Sequence, residues 1–253
     1  MSLSAALPKG LAMTRLVWPR YHRLIGSAYP PIDLFEDIAD PADWEVLAAA
    51  EARSNPRVAE TIGALDLVAP ERRVSGPGAS YVMAPFTHVS PERKGRFHDG
   101  SFGAFYAASA FDTALFEVIH HQGLFYAATD EAPGWIADMR ELVGEIDASL
   151  VDLRTSGQDA AGADTAALLD PDDYAASQVF AARIRAAGCD GIVYPSVRHA
   201  GGECFAAFQP DVMSVPLQAS HLTCHWDGKR IDMVKIHDQR QAERAGQVFR
   251  IEA

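Results

Sequence analysis

Long apolar runs are missing from this chain of 253 residues: no stretch approaches the roughly eighteen consecutive apolar residues that span a membrane. Met1 to Gly10 carries no basic region followed by an apolar run of leader length, so the protein is expected to be neither exported nor membrane-embedded. Basic residues are scarce, 22 against 34 acidic ones, for a formal net charge of -12. That balance repels phosphate backbones and anionic headgroups at long range, so neither nucleic acid nor a membrane is an expected partner. Cysteines are only three, Cys189, Cys204 and Cys224. The count is odd and no close pair has zinc spacing, as expected for free thiols in the reducing cytoplasm.

Glycine-rich phosphate motifs are also missing. No glycine loop runs into Lys-Ser or Lys-Thr, and Gly76-x-Gly78 lacks the third glycine of a dinucleotide fingerprint. Asp99-Gly-Ser-Phe-Gly103 has aspartate where a nucleophile elbow needs its first glycine, so a serine hydrolase is unsupported.

What is present is an ordinary globular composition, 48% hydrophobic and 22% charged, in a chain long enough to bury a core without disulfides or a structural metal. Thr14 to Ile25 reads as extended. Asp40-Pro41 gives a cap and a first-turn proline for a helix over Trp44 to Arg53, which Pro56 ends. Prolines and glycines break every period between Val68 and Pro91, leaving mostly loop with a short strand over Ser80 to Ala84. Gly103 to Ala108 reads as a strand running into a helix over Asp112 to His121, closed by Gly123.

Strands are expected over Glu141 to Ile146 and Leu150 to Leu153, then a mobile loop over Thr155 to Asp173. A helix over Tyr174 to Ala187 has Gly188 behind it. The strand Gly191 to Tyr194 stops at Pro195, and Phe205 to Phe208 and Val212 to Val215 add two more. Asp227-Gly228 signals a two-residue hairpin between His221 to Trp226 and Arg230 to Ile236. The tail from Gln239 to Ala253 is polar. Hairpins and loops outnumber β-α-β crossovers, which points to a single α+β domain over 1–253, with a core of about 15–216 and a hairpin and tail over 217–253.

Polar residues inside apolar stretches are the candidates for chemistry. Glu117 interrupts Ala114-Leu-Phe-Glu-Val-Ile119 and lies opposite the Leu115 and Ile119 stripe, where a glutamate alone is usually a solvated one. Tyr106 sits on the preceding strand, on the opposite face from Phe105. Arg96 stands in a glycine-flanked loop, and Ser196 follows a buried strand at its end, where a side chain reaches a pocket or caps a turn. His221 and His225 are four apart on an expected strand, a spacing that separates side chains by about 13 Å and argues against a shared zinc.

Taken together, these segments resemble the RES-domain family, toxins of bacterial toxin-antitoxin pairs named for an arginine, a glutamate and a serine. The matching pieces are His22-Arg-Leu-Ile25 with Tyr29-Pro-Pro31, Gly95-Arg-Phe97 with Gly103-Ala-Phe-Tyr106, Thr113-Ala-Leu-Phe-Glu117, and Gly191-Ile-Val-Tyr-Pro-Ser-Val-Arg198 with Gly201-Gly-Glu-Cys204. They cover Arg15 to Pro216 in order.

The resemblance implies an ADP-ribosyltransferase-like core with a split, mostly antiparallel sheet that grips NAD and cleaves the bond between nicotinamide and ribose. It makes Glu117, Tyr106 and Ser196 the catalytic set, and Arg23, Arg96, Tyr106 and Ser196 the NAD-binding set, with Arg20 as the alternative to Arg23. Departure of nicotinamide leaves positive charge on the ribose, which a carboxylate stabilises. Two phosphates in so acidic a protein need local guanidinium forks. NAD enters as substrate, and no cofactor or metal is implied. An Xre-type antitoxin is the implied partner, and a cellular protein, water or inorganic phosphate the acceptor of ADP-ribose.

Two other readings compete. One is a catalytically silent module that holds a partner protein in the same cleft; the other is a metal-dependent hydrolase built on His120, His121, His221 and His225.

Overall fold

The structure, a computed structural model, describes residues 11–37, 40–53, 58–154, 164–237 and 248–251. The expected helix end at Pro56, the first part of the expected loop from 155 onward and most of the polar tail lie outside the described residues. Among the described residues no helix is long and apolar enough to cross a membrane.

The extended N-terminal segment is β1 (Met13–Gly26). Short helices follow: α1 (Asp33–Glu36), α2 (Trp44–Glu51), α3 (Val58–Ile62) and α4 (Ser80–Thr87). Asp40 caps as expected, accepting the Ala42 N–H at 2.9 Å, although the turn it caps is a 3-10 turn over Pro41–Asp43 that leads into α2. The strand expected over Ser80 to Ala84 is instead helix α4. Ala79, Val82, Met83 and Phe86 recur at helical spacing and all are buried, so one apolar stripe against the core outweighs Pro85, which sits inside the helix.

The strand-to-helix unit is β2 (Phe105–Ala108) and α5 (Phe111–Ala127). Gly123 does not close α5. The helix runs one turn further because Tyr126 packs on Trp226, ring centroids 5.9 Å apart, and Ala128 caps it through the Phe125 and Tyr126 carbonyls. The two strands expected over 141–153 are one 19-residue strand, β3 (Gly134–Asp152). Part of the expected loop is helix α6 (Thr165–Leu168), capped by Asp164. Then come α7 (Ala175–Ala186), β4 (Gly191–Pro195), β5 (Glu203–Ala207), β6 (Leu217–Trp226), β7 (Ile231–Ile236) and β8 (Val248–Arg250).

Val212 to Val215 is not a strand: a 3-10 turn occupies Pro210–Val212, and Met213 makes only an isolated bridge to Ile146. The hairpin loop between β6 and β7 is longer than two residues. Asp227 Oδ1 accepts the N–H groups of Lys229 and Arg230, at 2.7 and 2.8 Å, and so builds a four-residue turn.

The strands form one sheet in the order β1-β2-β5-β4-β3-β6-β7-β8, with β1 also paired to β3, so the first five strands close on themselves. Among the described residues only β3 and β4 run parallel, so the architecture is α+β with a mostly antiparallel sheet. One edge of β3 lies along β1; the other is shared between β6 over 134–143 and β4 over 151–152.

Strand alternation puts Phe105, Val193 and Phe205 in one core beneath α1, α2 and α4, and Ala108, Ile192 and Ala206 in the other beneath α5 and α7. Between β1 and β2 the ladder has a single register pair, His22 with Ala108. Beyond it the two strands part, and the candidate site lies at that fork.

Candidate active site

At the fork Tyr106 presents its backbone carbonyl where a neighbouring strand would otherwise donate. Arg23 Nη1 donates to that carbonyl at 2.7 Å, and the guanidinium lies 4.4 Å from the centroid of the Phe105 ring. Its Nε is buried without a hydrogen-bond partner among the described residues. Burial pulls the Arg23 pKa down to about 10, which still leaves it protonated at neutral pH. Arg20, three residues earlier, is exposed, so Arg23 is the N-terminal arginine that reaches the cleft.

Arg96, 7% exposed, donates through Nη1 to the Asp170 carbonyl and, at 3.5 Å, to the Leu168 carbonyl, and lies 4.5 Å over the Tyr174 ring. Its own carbonyl accepts the Ser177 hydroxyl at 2.6 Å, which ties the loop to α7. Among the described residues no carboxylate pairs with Arg23 or Arg96. Two partly desolvated cations with only carbonyls and aromatic faces around them leave donors and charge for an anionic ligand.

Tyr106 projects from β2 on the opposite face from Phe105, as the strand period requires. Its hydroxyl accepts the Phe97 N–H at 2.9 Å, and burial pushes its pKa well above the usual phenol range. It stays a neutral phenol that fixes the Arg96 loop.

Glu117 is not a solvated helix glutamate. It faces the cleft from α5, and Ser196 Oγ donates to its Oε1 at 2.6 Å. Ser196 Oγ also accepts the N–H groups of Arg198 at 3.2 Å and His199 at 3.0 Å. With both acceptor positions taken, its one proton is directed to the carboxylate. The turn holding Ser196 is clamped to α5: His199 Nδ1 lies 2.9 Å from Thr113 Oγ1, and its ring stacks on Phe116 with centroids 5.0 Å apart. Gly202 allows this approach, because a Cβ there would sit 2.5 Å from Thr113 Oγ1.

The cleft has a cavity volume of about 180 Å³, below the roughly 300–1,000 Å³ of sites that enclose a whole drug-sized ligand, and it is open to solvent. Arg23, Arg96, Tyr106 and Glu117 line it, and Ser196 backs it through Glu117. Sequence reasoning gave no role to His22, Tyr174, Tyr194 and Cys204, which also line it, and offered His121, a further lining residue, only as a metal ligand. It also missed Glu141, 4% exposed, whose Oε1 lies 2.6 Å from His22 Nδ1. A carboxylate at the start of the apolar run Glu141 to Ile146 was the available signal. Burial raises the Glu141 pKa, but hydrogen bonds from His22 and Ser220 outweigh it and hold the carboxyl below its ordinary value.

Desolvation lowers the His121 pKa, opposed by Glu117 and reinforced by Arg198; His120 falls to about 4 through desolvation, Arg198 and His121. Burial raises the Cys204 pKa, keeping a neutral thiol. The four histidines of the hydrolase reading are not gathered around one point: His225 Nδ1 pairs with Asp232 at 2.6 Å and His221 accepts from Gln218 at 2.7 Å. Among the described residues no group of three or more His, Cys, Asp or Glu is placed to hold a metal ion.

A family model described as RES domain matches residues 70–227. Arg96, Tyr106, Glu117 and Ser196 lie inside that stretch, and His22 and Arg23 precede it. Uncharacterized protein y4oC of Sinorhizobium fredii is 28% identical over 226 residues, covering 86% of this chain and 87% of its own. Among solved structures, the crystal structure of the M. tuberculosis MbcT-MbcA toxin-antitoxin complex is similar at a TM-score of 0.44 and 13% identity, over 85% of this chain and 87% of that one.

Proposed function

The chain belongs to the RES domain family, and on that premise we propose that it is an NAD-consuming toxin of a toxin-antitoxin pair, acting in the cytoplasm, that cleaves the nicotinamide-ribose bond. The observation that carries this reading is the Ser196 to Glu117 hydrogen bond of 2.6 Å in a cleft that also holds two arginines with no carboxylate partner among the described residues. A silent binding cleft has no use for a carboxylate held in place by a serine in the same cleft as two guanidinium groups.

The roles follow from the chemistry. Arg23 and Arg96 bind and orient the phosphates of NAD by charge-assisted hydrogen bonds. The Tyr106 ring packs against the nicotinamide or the ribose, and Ser196 holds Glu117 in register and contributes to binding the ribose. Glu117 stabilises the positive charge that grows on the ribose as nicotinamide departs. NAD is the substrate, and no cofactor or metal takes part. ADP-ribose passes to a protein side chain, to water or to inorganic phosphate, and an Xre-type antitoxin restrains the activity by covering the cleft.

The test is incubation of the pure protein with NAD carrying a label on ADP-ribose, in buffer alone, with inorganic phosphate and with cell extract. Release of nicotinamide supports the reading, and the fate of the label assigns the acceptor. Absence of nicotinamide in all three overturns it in favour of the binding module.

A further inference from the structure

His22 stands at the fork where β1 and β2 part, opposite Ala108 on β2 and Val143 on β3. Leu24 is opposite Glu141, so His22 and Glu141 are diagonal neighbours on one face of the β1 and β3 ladder, within side-chain reach. The contact is His22 Nδ1 to Glu141 Oε1 at 2.6 Å, with side chains 12% and 5% exposed. Glu141 Oε2 accepts the Ser220 N–H at 3.3 Å. Glu141 is thus an ionised, buried carboxylate whose strongest bond is to an imidazole. An ionised carboxylate only accepts, so Nδ1 carries a proton, and in the neutral imidazole Nε2 is the nitrogen with the lone pair. His22 lines the cleft, and its Nε2 has no hydrogen-bond partner among the described residues.

We propose that His22, oriented by Glu141, is the general base that takes the proton from the group attacking the ribose, and that this group is an oxygen nucleophile, a hydroxyl or water. The inference rests on the NAD-cleaving reading above and adds the residue that activates the acceptor. The acceptor oxygen forms a bond to ribose C1′. The C1′ to nitrogen bond breaks with its electron pair going to the nicotinamide ring, which leaves neutral. The acceptor proton passes to His22 Nε2, and the imidazolium beside ionised Glu141 later returns it to solvent. An orienting carboxylate, an imidazole with one free nitrogen and a cleft in front of it are the parts that a general base needs.

The carboxylates then divide the work. Glu117, held by Ser196, faces the developing cation, while Glu141 never touches substrate and is a positioning residue. The titratable and charged groups around His22 are Glu141 from β3, Arg23 from β1, Tyr106 from β2, Tyr194 from β4, Cys204 from β5, Glu117 and His121 from α5, Arg96 from its loop and Tyr174 at the start of α7. Tyr106 and Cys204 stay neutral across the working range, so on the acid side the groups to separate from His22 are Glu117 and His121, which variants of His22 and Glu141 leave in place.

The discriminating variant is His22→Asn. Its amide nitrogen takes the place of Nδ1 and still donates to Glu141, so the buried carboxylate keeps its partner and the fold is retained, while nothing replaces Nε2. Nicotinamide release from NAD by the full chain is followed across the pH range, together with Glu141→Gln. His22→Asn is expected to lose about 10²-fold or more in kcat, a typical general-base contribution, and to lose the acid limb. Glu141→Gln is expected to lower kcat about tenfold or more with KM for NAD near the wild-type value, a split between kcat and KM that a purely structural role would not produce.

Equal kcat and an unchanged acid limb in His22→Asn overturn the inference while leaving NAD cleavage standing. If His22→Asn does not fold, an unchanged kcat in Glu141→Gln overturns it instead. No nicotinamide from the wild type removes the reading and the inference together.

Discussion

Ser196 Oγ donates to Glu117 Oε1 at 2.6 Å although the two residues are 79 positions apart, one at the end of β4 and the other in the middle of α5. The hydroxyl accepts two backbone N–H groups from its own turn, so the turn aims the serine and the serine aims the glutamate. Glu117→Gln keeps an oxygen to accept from Ser196 and changes stability little, but it removes the negative charge. Nicotinamide release should fall by about 10²-fold or more, by analogy with loss of an electrostatic stabiliser in other enzymes. Wild-type rates from this variant would remove Glu117 from its assigned role.

Ser196→Ala acts on both links at once. Two N–H groups lose their acceptor and the carboxylate loses the side-chain donor that holds it. Stability should drop by about 1 to 3 kcal/mol, the cost of partly buried groups left without partners. The rate should fall about tenfold or more as Glu117 loses its fixed position, since a charge-assisted hydrogen bond is the stronger kind. Denaturant titration and nicotinamide assays on one preparation separate the two effects. Loss of stability with full activity would make Ser196 a turn residue only.

Arg96→Lys keeps the formal charge and tests geometry. The guanidinium reaches the carbonyls of Leu168 and Asp170 and lies over Tyr174 while still lining the cleft. A lysine is a point charge without the planar fork, and it cannot make the parallel bonds to a phosphate. Calorimetry should show weaker NAD binding, by more than added salt produces in the wild type. Equal affinity would place the phosphates elsewhere, with Arg198 the next candidate, since Arg20 is exposed.

What the sequence revealed of this site depended on position within regular elements. Tyr106 and Glu117 were legible because a strand period and a helix period fix which face a residue takes, and the structure keeps both periods. The inward turn of Glu117 was not legible from α5 alone, since it follows from the clamp between His199 and Thr113 that brings the Ser196 turn across the helix. Glu141 was hidden for the same reason. Its partner lies 119 positions away on β1, and only the register between β1 and β3 brings the two together. Helix α4 was misread because Pro85 outweighed an apolar stripe whose burial depends on a distant core.

Gly202→Ala probes the clamp without touching a polar group. Its Cβ would meet Thr113 Oγ1 at 2.5 Å and Cγ2 at 2.6 Å, and Thr113 is fully buried with no room to retreat. Overpacking of this kind costs about 1 to 3 kcal/mol. The displaced turn also carries Ser196, so activity should fall together with the melting temperature. An alanine variant with wild-type stability would mean that the turn and α5 are less closely packed than these distances require.

The pH dependence of stability offers a test of the buried pair that needs no substrate. The Glu141 carboxyl is held below its ordinary value, burial raising it and the His22 and Ser220 hydrogen bonds more than compensating. A carboxylate with a depressed folded pKa stabilises the fold above its unfolded value, about 4.3 for glutamate, and that contribution is lost as pH falls through the folded value. Glu141→Gln does not titrate and lacks this contribution at every pH. The stability of the wild type relative to this variant should therefore be level near neutrality, begin to decline below about pH 5, and fall to its lowest below the folded pKa. Thermal unfolding of both proteins from neutral to strongly acid buffer measures the difference directly. A difference that stays constant across that range would show that Glu141 is no more easily ionised in the fold than in the open chain, and that the His22 contact does not hold its charge.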